Sequence, residues 1–137
     1  MRIMGIDYGT KRIGLAISDP KCTMALPLET IQVTSDNSYM QKIKEVAQAY
    51  SITHIVVGLP YNMDGSLGES GHNVIKWAAQ LKKFLELPVE FWDERLSTSA
   101  AHDLLMNIDV NGRKRKKLVD KIAASIILKE YIDTRLS

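Results

Sequence analysis

Three carboxylates stand where chemistry could be done. Asp7 closes the apolar run Ile3 to Ile6 and is followed at once by the turn-forming Tyr8-Gly9-Thr10. Glu94, with Asp93, follows a second apolar run, Val89 to Trp92. Asp120 lies inside a helical pattern, and the residues that share its face are Ala123, Ala124, Ile127 and Tyr131, so it points inward. Ionised carboxylates brought together out of water repel one another, and their burial demands compensating cations. Hard divalent ions such as Mg²⁺ or Mn²⁺ prefer oxygen donors. A pair of them about 4 Å apart activates water and stabilises the leaving oxygen of a phosphodiester. The single cysteine, Cys22, excludes an internal disulfide, and His54, His72 and His102 lack the spacing of a Cys/His zinc cage.

Cationic residues flank the acids. Lys11 and Arg12 follow Asp7, Arg95 follows Glu94, and Arg113, Lys114, Arg115, Lys116 and Lys117 precede Asp120. Formal net charge is only +2, so this is a matter of placement. Arginine grips phosphate bidentately, and a basic run beside an acidic site suits a polyanionic backbone. Asn62 and Asp64, in a glycine-flanked loop after Leu59-Pro60, are candidates for positioning substrate. Each feature also has an ordinary alternative. Asp7 can be a turn residue, Glu94 can favour a helix start near Ser97, and the basic run can be a solvated loop.

The elements that must position these groups follow from periodicity. Residues 2 to 7 and 12 to 18 read as a hairpin, and residues 26 to 33 as an edge strand, because Pro27 lacks an amide donor. Ser38 and Gln41 form a capping-box pattern for a helix running to about Tyr50. Ile55 to Gly58 reads as a doubly covered parallel strand, Asn73 to Leu85 as a helix, and Val89 to Trp92 as a fifth strand. A further helix capped by Ser97, a loop through Asn107, Asp109, Asn111 and Gly112 followed by the basic run, and a last helix from about Lys117 to Thr134 complete the chain. Trp77 and Trp92 fit core packing better than base stacking. The expected fold is a three-layer α/β domain. An antiparallel meander and parallel crossover strands share a five-stranded mixed sheet, with the first strand central and helices on both faces. Ligands of such sheets bind outside the carboxyl ends of the strands, where Asp7 and Glu94 fall.

At 137 residues and 45% hydrophobic, the chain has the size of one domain, residues 1 to 137, with its own core. No apolar stretch approaches the roughly 20 residues needed to span a bilayer, and no signal-peptide pattern opens the chain, so a cytoplasmic protein without membrane partners is expected.

Four ordered motifs make a family resemblance specific. They are Gly5-Ile6-Asp7-Tyr8-Gly9-Thr10-Lys11-Arg12-Ile13-Gly14 with Ser18-Asp19, then Gly58-Leu59-Pro60-Tyr61-Asn62-Met63-Asp64-Gly65-Ser66, then Asp93-Glu94-Arg95-Leu96-Ser97-Thr98, and the basic run leading into Asp120-Lys121-Ile122-Ala123-Ala124. Over essentially its full length the chain resembles the YqgF/RuvX family, pre-16S rRNA nucleases related to Holliday junction resolvases within the RNase H-like superfamily. The resemblance implies an RNase H-like fold, the catalytic acids Asp7, Glu94 and Asp120, and trimming of the 5′ end of pre-16S rRNA, with ribosomal precursor particles as a further partner class. Branched DNA is the alternative substrate; a monomer or a homodimer is expected, and symmetric resolution of a junction would require the dimer. Two other readings remain open: half of an actin-like ATP clamp, suggested by Asp7-Tyr8-Gly9-Thr10, and an assembly factor that binds pre-rRNA without cutting it.

Overall fold

Strands β1 (Ile3–Tyr8), β2 (Arg12–Ser18) and β3 (Ala25–Gln32) form the antiparallel meander. The structure is a computed structural model that describes residues 1–94 and 112–136, giving the backbone alone at 112–117. Helix α1 (Ser38–Ala49) leads to β4 (His54–Leu59), and α2 (Glu69–Leu85) leads to β5 (Val89–Asp93). Helix α3 (Gly112–Arg135) follows. Sheet order is β3-β2-β1-β4-β5, with β1 pairing parallel to β4, and β4 parallel to β5. β1 is therefore central, and Pro27 sits on an edge strand, where the ladder slips between Leu15 and Ala16 to accommodate it. This is the RNase H-like arrangement expected. The helix anticipated after Ser97, and the loop through Asn107, Asp109 and Asn111, lie outside the described residues.

Side chains alternate between the two faces of the sheet. Met4, Ile6, Ile13, Leu15, Ile55 and Val57 pack on one side with Ile43 of α1 and Val74, Trp77 and Leu81 of α2. Ile3, Ala16 and Val56 face the other side, against Ala124, Ile127, Leu128 and Tyr131 of α3. The two faces differ in bulk. The α1/α2 face is built of large apolar side chains, whereas the α3 face carries Gly14 and Ala16 on β2, so the helix backbone lies almost on the sheet.

Three boundaries differ from the sequence expectation. Ser38 and Gln41 do not form a capping box: Asn37 is the N-cap, with φ 62°, and its own side chain makes no capping hydrogen bond. The Asp36 carboxylate already accepts the Ser38 amide at 3.1 Å, and the Ser38 hydroxyl is spent on Thr34 at 3.0 Å. α2 begins at Glu69, a turn before Asn73, because Gly71, a poor helix former, is buried there and its packing overrides propensity. α3 begins at Gly112, so the basic run is helical and not a loop. Arginine and lysine are good helix formers, and the packed remainder of this 24-residue helix carries their turns along despite an unfavourable helix dipole.

The close approach is most severe at Gly14, where a methyl group would overlap the main-chain carbonyl of Asp120. Both partners are backbone, so neither can swing aside. Gly14→Ala is expected to destabilise by about 3 kcal/mol or more, at or beyond the top of the usual overpacking range, as read by denaturant unfolding. A change below about 0.5 kcal/mol, the size of an ordinary surface substitution, would show that α3 is not seated on β2 in this way.

Candidate active site at the carboxyl end of the sheet

Strand register aligns the acids. Asp7 pairs with Gly14 across the hairpin, and Ile6 pairs with Val57, which sets Asp7 beside the end of β4. Leu59 of β4 pairs with Asp93, so Glu94 leaves β5 one strand beyond. Gly58 lies in the gap: a methyl there would come within 2.7 Å of the Glu94 Oε1 and 2.5 Å of Ile127 Cδ1. Glycine thus lets the Glu94 side chain fold back across the end of β4 toward Asp7. On the other flank, the missing side chain of Gly14 lets α3 bring Asp120 down beside β2.

All three acids are partly buried. The Asp7 carboxyl is held well above the usual carboxylate range, first by burial, next by a hydrogen bond with the Glu94 carboxyl, and then by the negative charges of Glu94 and Asp120. Two carboxyl groups can share a hydrogen bond only if one keeps a proton, and the upward shift of Asp7 makes it the carboxyl that donates. Asp120 is held differently. Its Oδ2 accepts the Arg12 Nε–H at 2.7 Å, and the two side chains are 16% and 28% exposed. A charge-assisted bond of this length in a half-buried setting fixes the carboxylate's orientation.

The structure thus brings Asp7, Glu94 and Asp120 to one place, although among the described residues no three Asp, Glu, His or Cys side chains stand at metal-ligand spacing. Asp7 and Glu94 already converge, while Asp120 leans toward Arg12. The donor set is all oxygen, which suits Mg²⁺ or Mn²⁺ and not a soft ion. A cation there would replace the retained proton, so the residues fit such an ion in their chemistry.

The other sequence candidates fall differently. Arg12 reads from the sequence as a phosphate contact, and the structure gives its Nε to Asp120. Lys11 is exposed at the β1–β2 turn, where its carbonyl accepts the Val33 amide. Asn62 and Asp64 both bond within their own loop, to Ser66. Arg95 lies outside the described residues, and Arg113, Lys114, Arg115, Lys116 and Lys117 occupy the first turns of α3 with only their backbone described. Trp77 is a core residue, stacked on Tyr8 at 4.4 Å and donating to the Tyr39 hydroxyl at 2.9 Å. Trp92 donates to Glu130 at 3.2 Å and packs edge-on against Tyr131. Sequence reasoning missed the seats at Gly14 and Gly58; a glycine on each of the strands flanking β1, at the level of Asp7, was the available signal.

Acids gathered at the carboxyl ends of a β3-β2-β1-β4-β5 sheet, with a helix delivering the last of them, define the class of RNase H-like resolvases and nucleases. A Thermus thermophilus RuvC bound to a Holliday junction superposes with a TM-score of 0.61 at 14% identity, covering 100% of this chain and 97% of that one. A fowlpox virus resolvase bound to Holliday junction DNA gives 0.56 at 12% identity, with full coverage of both chains. Within that class the chain belongs to the RuvX family, whose model, described as Holliday junction resolvase, matches residues 1–134. A protein of Caldanaerobacter subterraneus subsp. tengcongensis named "Putative pre-16S rRNA nuclease" is 46% identical, with 98% of each chain covered. One of the same name from Bacillus cytotoxicus is 44% identical over 98% of this chain and 100% of its own.

The raised Asp7 pKa fixes the sign of a stability effect. Below the ordinary carboxylate pKa of about 3.9, Asp7 is protonated whether folded or unfolded. As pH rises through the raised folded value, the stability associated with the neutral form is lost. Asp7→Asn, which stays neutral and can still donate to Glu94, is expected to raise the Tm of the cation-free protein by several degrees at pH 8, with the gap closing toward pH 4. Thermal scans of both proteins across that range would contradict this if the wild type were the more stable at pH 8.

Proposed function

We propose that this protein is a Mg²⁺- or Mn²⁺-dependent endonuclease that hydrolyses phosphodiester bonds of structured nucleic acid and trims the 5′ end of pre-16S rRNA. The observation that carries the reading is the buried Asp7 carboxyl, hydrogen-bonded to Glu94 and electrostatically opposed by Asp120. The name borne by relatives more than 40% identical over nearly the whole chain supports the RNA substrate. Work on rRNA precursors would place the protein in the cytoplasm, as one domain spanning residues 1 to 137, with ribosomal precursor particles among its partners. No helix of the described residues is long and apolar enough to cross a membrane.

Asp7, Glu94 and Asp120 would hold the ions, which supply an activated water and charge neutralisation at the scissile phosphate. The chain's own residues do the rest. Arg12 orients Asp120, and Asp7 and Glu94 would hold a cation in place of the proton that now joins them. Lys11, Arg95 and the basic run Arg113 to Lys117 would meet the backbone phosphates, while Asn62 and Asp64 shape the loop beside them. The family description favours a second substrate, branched DNA. Its symmetric resolution would need two copies of the chain.

The deciding experiment incubates the protein with a pre-16S 5′ leader fragment and a four-way DNA junction, each with and without Mn²⁺. Mn²⁺-dependent cleavage of the leader is expected, falling to background in Asp7→Asn, Glu94→Gln and Asp120→Asn; undiminished cleavage in Asp7→Asn would refute the assignment. Preference for the junction, together with a dimer in solution, would select the DNA reading.

Two further outcomes follow from the same geometry. Because a proton must leave for an ion to bind, Mn²⁺ affinity by calorimetry is expected to rise with pH and to release protons. Arg12→Ala, removing the partner that orients Asp120, is expected to lower Mn²⁺ affinity or turnover by about 10- to 100-fold. If Arg12 acted instead on phosphate, the change would appear in substrate binding, with a salt slope reduced by about one.

A further inference from the structure

We propose that Met63 is an unstacking wedge, which inserts between neighbouring bases of the nucleic acid held at the acidic site and opens the strand near the cleaved bond. The inference rests on the nuclease reading for the identity of the ligand and on the loop's own structure for the role.

The loop after β4 is a built projection. At its base, Tyr61 and Leu67 face each other in an isolated antiparallel bridge, and both pack against the core formed with α1 and α2. Above them the chain reverses through Asn62 to Ser66. The Asn62 amide donates to the Ser66 carbonyl at 2.8 Å, and the Gly65 amide to the Asn62 carbonyl at 2.9 Å. Gly65 takes φ 88°, a conformation that favours glycine. Side chains reinforce the turn: Asp64 Oδ1 accepts the Ser66 amide at 2.9 Å and its hydroxyl at 2.6 Å, while the Asn62 amide group donates to Ser66 Oγ at 3.1 Å. The polar residues at 62, 64 and 66 thus bind one another. What the tip offers outward is Met63, 94% exposed, against 38 to 61% for the other exposed large apolar side chains among the described residues.

A single apolar residue on a surface is ordinary; three observations set this one apart. The first is position. Met63 is four residues beyond Leu59, which pairs with Asp93 next to Glu94, so its Cα lies within about 14 Å of the strand end. That is about four nucleotides along a strand, at about 3.4 Å each. The second is rigidity, since a wedge must not fold away from the bases it parts. The third is charge. From Pro60 to Ile75 the chain contains Asp64 and Glu69 and no lysine or arginine, so this segment brings no full positive charge to the phosphates, and the apolar tip side chain is suited to bases and not to the backbone. Methionine is unbranched and polarisable, makes favourable contacts with aromatic rings, and is among the side chains that act as wedges between base steps.

The test uses the full chain and a pre-16S 5′ leader hairpin carrying 2-aminopurine at successive positions, whose fluorescence rises on unstacking. Asp7→Asn holds the hairpin uncleaved. A several-fold rise at one or two positions is expected with Asp7→Asn, lost with Asp7→Asn/Met63→Ala and largely kept with Asp7→Asn/Met63→Leu, while all three bind with similar Kd. In the active background, Met63→Ala is expected to slow cleavage of the paired hairpin by about tenfold or more, the size expected when a wedge no longer offsets unstacking, and to spare a hairpin with abasic sites at those positions. A fluorescence rise that survives Met63→Ala, or an equal loss on paired and abasic substrates, would overturn the wedge. Cleavage by the wild type with no Met63-dependent rise would sink the wedge and leave the nuclease standing. A Met63-dependent rise without any cleavage would keep the wedge and sink the nuclease. Because Met63 is almost wholly exposed, an unchanged Tm in Met63→Ala is expected and separates these outcomes from misfolding.

Discussion

A carboxylate held out of water beside two others is a liability that a fold keeps only with compensation, and the carboxyl end of this sheet is organised around that liability. Asp7 meets it in part by retaining a proton against Glu94. Asp120 meets it through the 2.7 Å bond from Arg12. Both devices are local, and neither satisfies all the charge brought together. A hard divalent cation would serve all three acids at once, which makes the site's electrostatics and its proposed chemistry the same fact seen from two sides.

That juxtaposition depends on what the sheet leaves out. Helices usually pack on sheets through side chains from both partners, yet α3 meets β2 at a position where a methyl group would overlap its backbone. The loss of apolar contact at Gly14 is offset further along the helix, where Ala124, Ile127, Leu128 and Tyr131 bury against Ile3, Ala16 and Val56. The helix lies close to the sheet along that stretch too: a methyl group on Gly5 would come within 2.7 Å of Leu128 Cβ and 2.9 Å of the Ala124 carbonyl oxygen. Gly58 does the corresponding work for Glu94, clearing the end of β4 so that a side chain from the neighbouring strand can reach across. The basic turns at the start of α3 are carried to the same end of the sheet as Asp120.

Much of this was legible in the sequence, and for identifiable reasons. Strands with strict alternation, such as Ile13-Gly14-Leu15-Ala16-Ile17, declare their two faces, and Pro27 declares an edge. Asp120 was readable because its column of Ala123, Ala124, Ile127 and Tyr131 is apolar, and all four prove to be buried. Local signals failed where tertiary contacts competed with them. Ser38 looks like a cap, but Asp36 takes its amide first. The basic run looks like a loop, but the packed length of α3 keeps it helical. The role of Arg12 was invisible for a different reason: its partner is 108 residues away, and a cation near an acid in sequence says nothing about which acid it will meet. Asn62 and Asp64 were drawn to attention by their polarity, and the structure shows that polarity serving the loop itself.

The most direct measurement of the central claim is paramagnetic broadening of backbone amide signals on titration with Mn²⁺. Broadening is expected to appear first at residues around Asp7, Gly14, Gly58 and Glu94 and at the turn of α3 that carries Asp120, and to vanish from all of them together in Asp7→Asn. Broadening confined to acids elsewhere, such as Glu29 or Asp36, or left unchanged by that substitution, would contradict the account.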